Sequence, residues 1–235
     1  MTVFRAPSST GVALIPWDPT SEDHIQRLIE QRIECGWHED MPAVYWKKLQ
    51  LQGTKCIYWV VPQPVEVGAA EKLEAQMTPK QRVPLLDTCT TLRGQSLTPS
   101  KQPFIPVGHI ALDMTHPAAD ALGFKKPTEG VIWIKSLFVL ESLQSNGLAR
   151  AAMDTLEAML ASEPLCAKTL LLDTMQKDDQ IKLKAPKLTT QAWYERRGYR
   201  VIHVDPGFYN DTEVPEAKEF EGFVARTVFM QLDMP

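Results

Sequence analysis

The sequence has few cysteines and no strong excess of either charge, and both features limit what the protein can do. The cysteines number four, at Cys35, Cys56, Cys89 and Cys166, and they include no CxxC pair. We therefore expect neither a zinc site nor a disulfide framework, predict no metal, and expect free thiols in a reducing compartment. The 25 Lys and Arg residues against 29 Asp and Glu residues give no overall field that would attract nucleic acid.

Long apolar runs are also missing from the sequence. No stretch approaches the roughly 18 apolar residues of a membrane-spanning helix. The N-terminal segment MTVFRAPSSTGVALIPWDPT has no long apolar core behind basic residues, as a secretion signal would have. We therefore predict a cytoplasmic protein, with the nucleus as the alternative, that binds neither membrane nor nucleic acid. Its expected partners are small molecules or proteins, including a second copy in a homodimer.

The sequence does contain an alternation of apolar strands and helices. Helices are predicted after the turn with Pro16 and Pro19, at MPAVYWKKLQLQ, at residues 147–162 and at KLTTQAWYERRGY. On the first helix, Ile25, Leu28, Ile29 and Ile33 are expected to form one apolar face. The predicted strands are GVALIP, KCIYWVVP, FIPVGHIALDMT, GVIWIKSLFVL, KTLLLDTM, RVIHVD and RTVFMQLDM. This order favours one mixed α/β sheet with helices on both faces.

Prolines set one segment apart from the rest. Six prolines from Pro62 to Pro103 interrupt a polar stretch that contains one short helical pattern, AAEKLEAQM. So long a connection is more often an insertion or a mobile loop than part of the framework. We therefore predict a single domain over residues 1–235 with an inserted Pro-rich segment at about 63–103, acting as a lid or a spacer.

A polar turn leads from an apolar strand directly into a long helix. The strand ends near Leu140, and the turn holds Gln144 and Gly147. Such a turn exposes backbone N–H groups at a helix N-terminus, which suits an anion. The pattern Gln144-x-x-Gly147-x-Ala149 is by itself a weak signal, and an ordinary strand-to-helix turn explains it equally well. The nucleotide-binding motifs GxGxxG and GxxxxGK[ST] do not occur here.

The same turn is followed, after one strand and one loop, by AWYERRGY at residues 192–199. This ordered pair resembles the GCN5-related N-acetyltransferase (GNAT) superfamily, whose signature is [QR]-x-x-G-x-[GA] followed by a helix of the type A-x-x-x-Y-E-x-x-G-[FY]. The resemblance covers residues 104–205. It implies an α/β (α+β) fold with a mixed, mostly antiparallel central sheet of about six to seven strands and helices on both faces.

The resemblance also implies a chemistry. Members of this superfamily transfer an acetyl group from acetyl-CoA directly to an amine, so the resemblance implies that the acceptor is a primary amine of a small molecule or peptide. Acetyl-CoA is then a co-substrate, and the activity is that of an acyltransferase. The alternative is a non-catalytic acyl-CoA-binding module with a regulatory or structural role.

The cofactor site implied by the resemblance lies where the strand passes into the helix. Backbone N–H groups of the turn would meet the pyrophosphate at the positive end of the helix dipole. In this family the preceding strand carries a bulge, so that the pantetheine arm pairs alongside it like an added strand. The implied residues are Leu137, Phe138, Val139, Gln144, Ser145, Asn146, Gly147, Leu148 and Ala149.

The catalytic residues follow from the same resemblance. Tyr194 matches the tyrosine that often protonates the departing thiolate, although a tyrosine packed on the sheet is the alternative. Trp133 stands near the position where some members have a glutamate base. Asp173, at the end of the next strand, is where other members place a carboxylate that reaches the amine, and a strand-end cap explains it equally well. His109 is expected to be a satisfied core residue.

The segment CGWHEDMP lies where this family builds part of the acceptor wall. Trp37, His38, Glu39 and Asp40 offer one aromatic face and two carboxylates. Such a set suits a cationic amine. A solvated loop is the alternative interpretation.

Overall fold

The structure is a computed structural model that describes residues 10–64, 68–184, 186–209 and 223–235. Residues 65–67 of the predicted insert lie outside these ranges. The α-helices are α1 (Glu22–Cys35), α2 (Lys47–Leu51), α3 (Ala69–Glu74), α4 (Pro117–Ala121), α5 (Leu148–Ala161), α6 (Lys177–Lys184) and α7 (Thr190–Arg196). The strands are β1 (Thr10–Pro16), β2 (Lys55–Pro64), β3 (Leu85–Leu86), β4 (Thr91–Leu92), β5 (Gln95–Ser96), β6 (Pro103–Phe104), β7 (Gly108–Asp113), β8 (Val131–Val139), β9 (Thr169–Met175), β10 (Arg200–Pro206) and β11 (Arg226–Asp233).

Seven of the strands form one mixed sheet in the order β1-β2-β7-β8-β9-β11-β10. β8 and β9 are parallel, whereas the pairs β1–β2, β9–β11 and β10–β11 are antiparallel. The remaining strands form two short ladders, β3–β6 and β4–β5, inside the insert. The predicted α/β (α+β) class with a mostly antiparallel sheet is confirmed.

The chain divides into two compact units, and each is described by itself. Unit 1 comprises Met1–Cys35, Glu39–Ala111 and Ser136–Leu160. Unit 2 comprises Gly36–His38, Leu112–Lys135 and Ala161–Pro235. The turn at Gln144 therefore belongs to unit 1, and Asp173 and Tyr194 belong to unit 2. The boundaries of a single domain over residues 1–235 stay a prediction.

Helix α1 of unit 1 buries a face that is largely polar. Its buried residues recur at helical spacing and are His24, Arg27, Leu28, Gln31 and Arg32. Leu28 packs with tryptophans of the core, but Ile33 is 61% exposed. The prediction that Ile33 shares an apolar core face was therefore wrong. The reason is geometric: at about 100° per residue Ile33 lies away from the buried face that holds Arg27 and Gln31, and the donors on that face find acceptors in their partners.

The insert supplies several of those partners. The guanidinium of Arg27 donates to the carbonyl oxygens of Lys80, Gln81 and Val83 at 3.1, 3.2 and 2.9 Å. His24 contributes a ring nitrogen 2.9 Å from the carbonyl oxygen of Leu86. The insert also buries three side chains almost completely, Met77, Leu85 and Cys89. The insert is therefore packed against the framework of unit 1 and hydrogen-bonded to it, and its mobility stays a prediction.

We expect Arg27→Met to lower the free energy of unfolding by about 2–4 kcal/mol. The substitution removes the donors of three carbonyl oxygens in a partly buried setting, and unpaired buried polar groups are costly. Arg82 is the matched control, because it also donates to backbone carbonyls of the insert, at Met77 and Ala75, but is exposed. Arg82→Met should cost less than about 0.5 kcal/mol in the same urea titration. Equal losses in the two variants would contradict the anchoring role of Arg27.

Candidate functional site

The turn between β8 and α5 has the geometry of an open anion site. Residues Gln144 to Gly147 are exposed, and Ser145 and Gly147 have positive φ values of 67° and 81°. Two side chains fix the turn, since Gln144 Nε2 donates to the Val139 carbonyl and Asn146 Nδ2 donates to the Leu143 carbonyl, each at 3.2 Å. The first turn of α5 leaves its backbone N–H groups without intrahelical acceptors. These groups therefore face an exposed turn at the positive end of the helix.

Helix α5 is held in place by an apolar face. Leu148, Ala152, Leu156 and Leu160 recur every four residues and are each at most 1% exposed. Alanine at position 152 leaves room for close packing, and the leucines fill the core of unit 1. The N-terminus of α5 is thereby fixed relative to the strand that precedes it.

Strand β8 departs from extended geometry at Ser136. This residue has a φ of 52°, in the left-handed region, although it lies inside the strand. The parallel ladder between β8 and β9 pairs Val131 with Thr169 through Trp133 with Leu171. The irregularity therefore follows the paired section of β8, and it lies within the strand that the resemblance implied to be bulged.

The end of β8 shows which peptide groups are available. A Cβ atom at Gly108 would lie 2.1 Å from the carbonyl oxygen of Phe138, so glycine is required there. Phe138 thus directs its carbonyl to β7, and the Leu140 N–H also donates to a carbonyl at this edge, that of Val107. Alternate residues of a strand direct their peptide groups to opposite edges. Of the three predicted pantetheine partners, Leu137 and Val139 therefore face away from β7, whereas Phe138 does not.

Unit 2 contains a compact polar network around Asp173. Lys135 Nζ forms an ion pair with Asp173 Oδ1 and lies 3.1 Å from both Tyr209 Oη and His116 Nε2. The hydroxyl of Tyr209 donates to Asp173 Oδ2. The side chains of Lys135 and Asp173 are 16% and 3% exposed. Both carboxylate oxygens are therefore engaged, and His116 Nε2 is a third neighbour at 3.7 Å.

These contacts set the protonation states of the network. Burial opposes the ionisation of Asp173, but the Lys135 ammonium and the hydrogen bonds outweigh it and hold the pKa of the carboxyl well below its ordinary value. Burial likewise opposes the charge on Lys135, yet the neighbouring Asp173 raises the pKa of its ammonium. Burial and Asp173 together raise the pKa of the Tyr209 phenol. Asp173 is thus a weak proton acceptor, which disfavours its predicted role as general base.

An aromatic wall adjoins the network in unit 2, and we define it as Trp37, His38 and Tyr209. The ring centroids of Trp37 and Tyr209 are 5.7 Å apart, and His38 lies 6.1 Å from Trp37 and 6.2 Å from Tyr209. Trp37 also packs against Ala225. Glu39 and Asp40 are exposed, so solvent screens their charge. Of the four predicted acceptor residues, Trp37 and His38 therefore share Tyr209 as an aromatic neighbour. The carboxylates of Glu39 and Asp40 lie in solvent.

Tyr194 lies on α7, whose N-cap Thr189 accepts a hydrogen bond from the Ala192 N–H at 3.2 Å. Its ring is half-buried and meets Trp193 and Tyr199 edge-on, at centroid distances of 5.0 and 5.6 Å. Packing therefore fixes the orientation of the phenol. Its role as proton donor stays a prediction.

Sequence reasoning missed Lys135, His116 and Tyr209 as neighbours of Asp173. The usable signal was the lysine within the apolar strand VIWIKSLFVL, because a charge in a buried strand needs a partner. Asp173 in the apolar strand TLLLDTM offered the complementary charge. For Tyr209 and His116 the sequence contains no comparable signal, because both come from irregular segments.

Among the residues described, no group of three or more His, Cys, Asp or Glu side chains is placed to hold a metal ion. Within the same ranges, no helix is long and apolar enough to cross a bilayer.

Comparison with known proteins supports the resemblance. The model of the acetyltransferase (GNAT) family matches residues 99–199. No curated protein matches the chain in sequence. The suspected resemblance to the GNAT superfamily is confirmed.

Solved structures show the same fold at low identity. Arabidopsis thaliana NAA60 in complex with acetyl-CoA is 11% identical with a TM-score of 0.52, over 95% of this chain and 98% of that one. A putative GNAT acetyltransferase from Desulfovibrio desulfuricans is 12% identical with a TM-score of 0.52, over 95% and 99%. An aminoglycoside 6'-N-acetyltransferase complexed with coenzyme A is 12% identical with a TM-score of 0.50, over 95% and 98%. At such identities the likeness establishes the fold alone.

Proposed function

Because the chain carries an acetyltransferase domain of the GNAT family at residues 99–199, we propose that it transfers the acetyl group of acetyl-CoA directly to a primary amine of a small molecule or peptide. The observation that carries this proposal is the exposed turn from Gln144 to Gly147 at the N-terminus of α5. A helix N-terminus with free N–H groups binds phosphates by dipole and hydrogen bonds together. The turn is thereby suited to the pyrophosphate of acetyl-CoA.

The proposed reaction assigns each part of the chain a step. The turn from Ser145 to Ala149 binds the pyrophosphate, and the outward peptide groups of Leu137 together with the N–H of Val139, whose carbonyl accepts from Gln144, pair with the pantetheine amides. The neutral amine then attacks the thioester carbonyl carbon, so that a C–N bond forms and the C–S bond breaks. Tyr194 protonates the departing thiolate, and the amine nitrogen loses its proton to solvent. Direct transfer needs no covalent acetyl-enzyme.

A second candidate is a non-catalytic acyl-CoA-binding module. The observation that favours it is the engagement of both Asp173 oxygens, by Lys135 and Tyr209, which leaves the carboxylate a weak base. The two candidates differ in turnover but not in cofactor binding. Thiol release from acetyl-CoA across a broad panel of amines decides between them, and binding without release from any amine would favour the module.

We expect acetyl-CoA to raise the melting temperature of the protein and Gly147→Val to abolish that rise. A ligand at about 100 times its Kd stabilises the native state by about 2.7 kcal/mol. A branched side chain at the φ of 81° strains the turn and occupies the approach to its N–H groups.

Gly94→Val is the matched control for strain. Gly94 has a φ of +70° in unit 1, and no atom lies within 4 Å of a Cβ placed there. The control protein should be destabilised to a similar degree and yet keep its shift with acetyl-CoA. An unchanged shift in Gly147→Val would show that the phosphate site lies elsewhere.

A further inference from the structure

The polar network of unit 2 is placed where the two parallel strands stop pairing. Continuing the register of Trp133 with Leu171 sets Lys135 opposite Asp173, and there the strands are joined by a side-chain ion pair. Asp173 is also paired with Phe229 of β11. The network thus occupies the end of β9, where the resemblance implies a carboxylate that reaches the amine.

The charges of this network cancel. Lys135 contributes one positive charge, Asp173 one negative charge and the Tyr209 phenol none, and the imidazole of His116 adds no negative charge. The net charge is therefore zero or positive. An ammonium group brought to this network gains no counter-ion, and burying an unpaired cation is costly.

Next to this neutral network stands the aromatic wall of Trp37, His38 and Tyr209. Tyr209 belongs to both, because its ring contacts Trp37 and its hydroxyl bonds Asp173. The Lys135–Asp173 ion pair therefore also fixes the Tyr209 ring of the wall, through the hydrogen bond from the Tyr209 hydroxyl to Asp173. The Lys135 ammonium already lies 5.9 Å from the centroid of the Tyr209 ring and takes up the cation–π attraction of that ring, so the wall offers a further group mainly apolar and edge-on aromatic contacts.

From these observations we infer that the Lys135–Asp173–Tyr209 network selects weakly basic amines on apolar groups, namely the α-amine of a peptide with an apolar first residue, against lysine side chains and polyamines. Lys135 is a positioning and specificity-determining residue in this scheme, since it neutralises Asp173 and holds Tyr209. The inference rests on the proposed N-acetyltransferase activity and specifies its acceptor.

The chemical basis is the fraction of amine that is neutral. An α-amine has an ordinary pKa of about 7.7–8.0, and a lysine side chain has one of about 10.4. Near neutral pH the unprotonated fraction therefore differs by a few hundred-fold. Because Lys135 and Tyr209 already engage both oxygens of Asp173, this carboxylate does not remove the proton of the amine, and the difference in neutral fraction is expected to appear in the rate of transfer.

The test compares two peptides of one composition. The first has a free α-amine on phenylalanine and no lysine, and the second has a blocked N-terminus and one lysine next to phenylalanine. Spermidine serves as the polycationic acceptor. For the wild-type protein, thiol release should give a kcat/KM at least about tenfold higher for the α-amine peptide than for the other two. Equal or higher values for the lysine peptide or spermidine would overturn the inference.

The variants test whether the charge balance causes the preference. Lys135→Met leaves Asp173 without its counter-ion, so the ratio of the two kcat/KM values should move at least about tenfold toward the lysine peptide, mainly through a lower KM for that peptide. Lys135→Arg should keep the wild-type ratio. The double variant Lys135→Met with Asp173→Asn is neutral again and should restore the α-amine preference. Because it leaves no uncompensated charge, it still tests the network if the single variant Lys135→Met does not fold.

The outcomes separate the two proposals. An unchanged ratio in Lys135→Met, or a lysine preference in the neutral double variant, would overturn the role of the network while acetyl transfer stands. Absence of thiol release from every acceptor, with a normal thermal shift by acetyl-CoA, would overturn the acetyltransferase proposal and the acceptor inference with it.

Discussion

Replacing Tyr194 by phenylalanine should lower the rate of acetyl transfer by roughly ten- to a thousand-fold, the range expected when a positioned acid is lost. The reason is that the thiolate of CoA then has to take its proton from solvent or from the attacking amine. The affinity for CoA should stay nearly unchanged, because the proposed pyrophosphate contacts come from the turn in unit 1 and Tyr194 lies in unit 2. Steady-state kinetics together with a CoA binding isotherm make the measurement.

Tyr199→Phe is the control for the loss of a phenol from the same aromatic cluster. Tyr199 is 2% exposed and its ring lies 5.6 Å from that of Tyr194. Removing its hydroxyl should affect stability far more than the rate of transfer. A Tyr194→Phe protein with full activity on a good acceptor would remove Tyr194 from the mechanism.

The fold was predictable because its signals are local. The strands of the sheet read as apolar, β-branched runs, and α5 shows the four-residue spacing of Leu148, Leu156 and Leu160. Helix α4 and helix α6 were missed since one has five residues and the other, KDDQIKLK, has almost no apolar face. Their position depends on tertiary contacts, such as the bond from Arg226 to Asp179 that holds α6.

The packing of the insert was not predicted, for a related reason. Its prolines and polar composition are typical of a loop, and the sequence contains no signal for the residue that binds its peptide carbonyls. The partner is the buried guanidinium of Arg27, which gathers three carbonyl oxygens more than fifty residues away. A composition rule measures what a segment can bury by itself, and it misses hydrogen bonds that another segment supplies.

In the candidate site, too, local features could be predicted from the sequence and features that depend on tertiary contacts could not. The turn from Gln144 to Gly147 was found because one short motif holds the whole feature. The network around Asp173 joins four segments, and only two of its members, Lys135 and Asp173, lie in predicted strands. Sequence reasoning proposed Asp173 as a base because it could not show that Lys135 and Tyr209 already engage the carboxylate.

Acidification should destabilise unit 1, because two histidines are buried there in their neutral form. His24 Nδ1 accepts from the Asp18 N–H at 3.0 Å and from Trp59 Nε1 at 3.1 Å, so protonation of this nitrogen would break both bonds. Burial lowers the pKa of His24 below its ordinary value of 6.5, against the opposing effect of Asp18, Asp23 and Asp87.

His109 donates to Gln31 at 2.7 Å and lies beside the Arg32 guanidinium. Its complete burial, together with the positive charges of Arg32 and Lys55, lowers the pKa of His109 well below the ordinary value. The expectation of a satisfied core histidine at position 109 is confirmed.

The sign of the effect follows from linkage. Since the folded pKa values are depressed, the unfolded chain binds protons first, so the stabilisation is complete above about pH 6.5 and is lost as the pH falls below it. Between about pH 7.5 and about pH 5.5 linkage limits the loss to at most about 1.4 kcal/mol for each histidine, and His109, whose pKa is lowered the more strongly, should come closer to that limit. Urea unfolding at the two pH values, followed by tryptophan fluorescence, measures the loss. His109→Gln, which keeps hydrogen-bonding capacity without a titrating group, should reduce the loss by up to about 1.4 kcal/mol. A free energy of unfolding that is flat over this range would mean that His24 and His109 take up protons in the folded protein, and that their hydrogen bonds rearrange without loss.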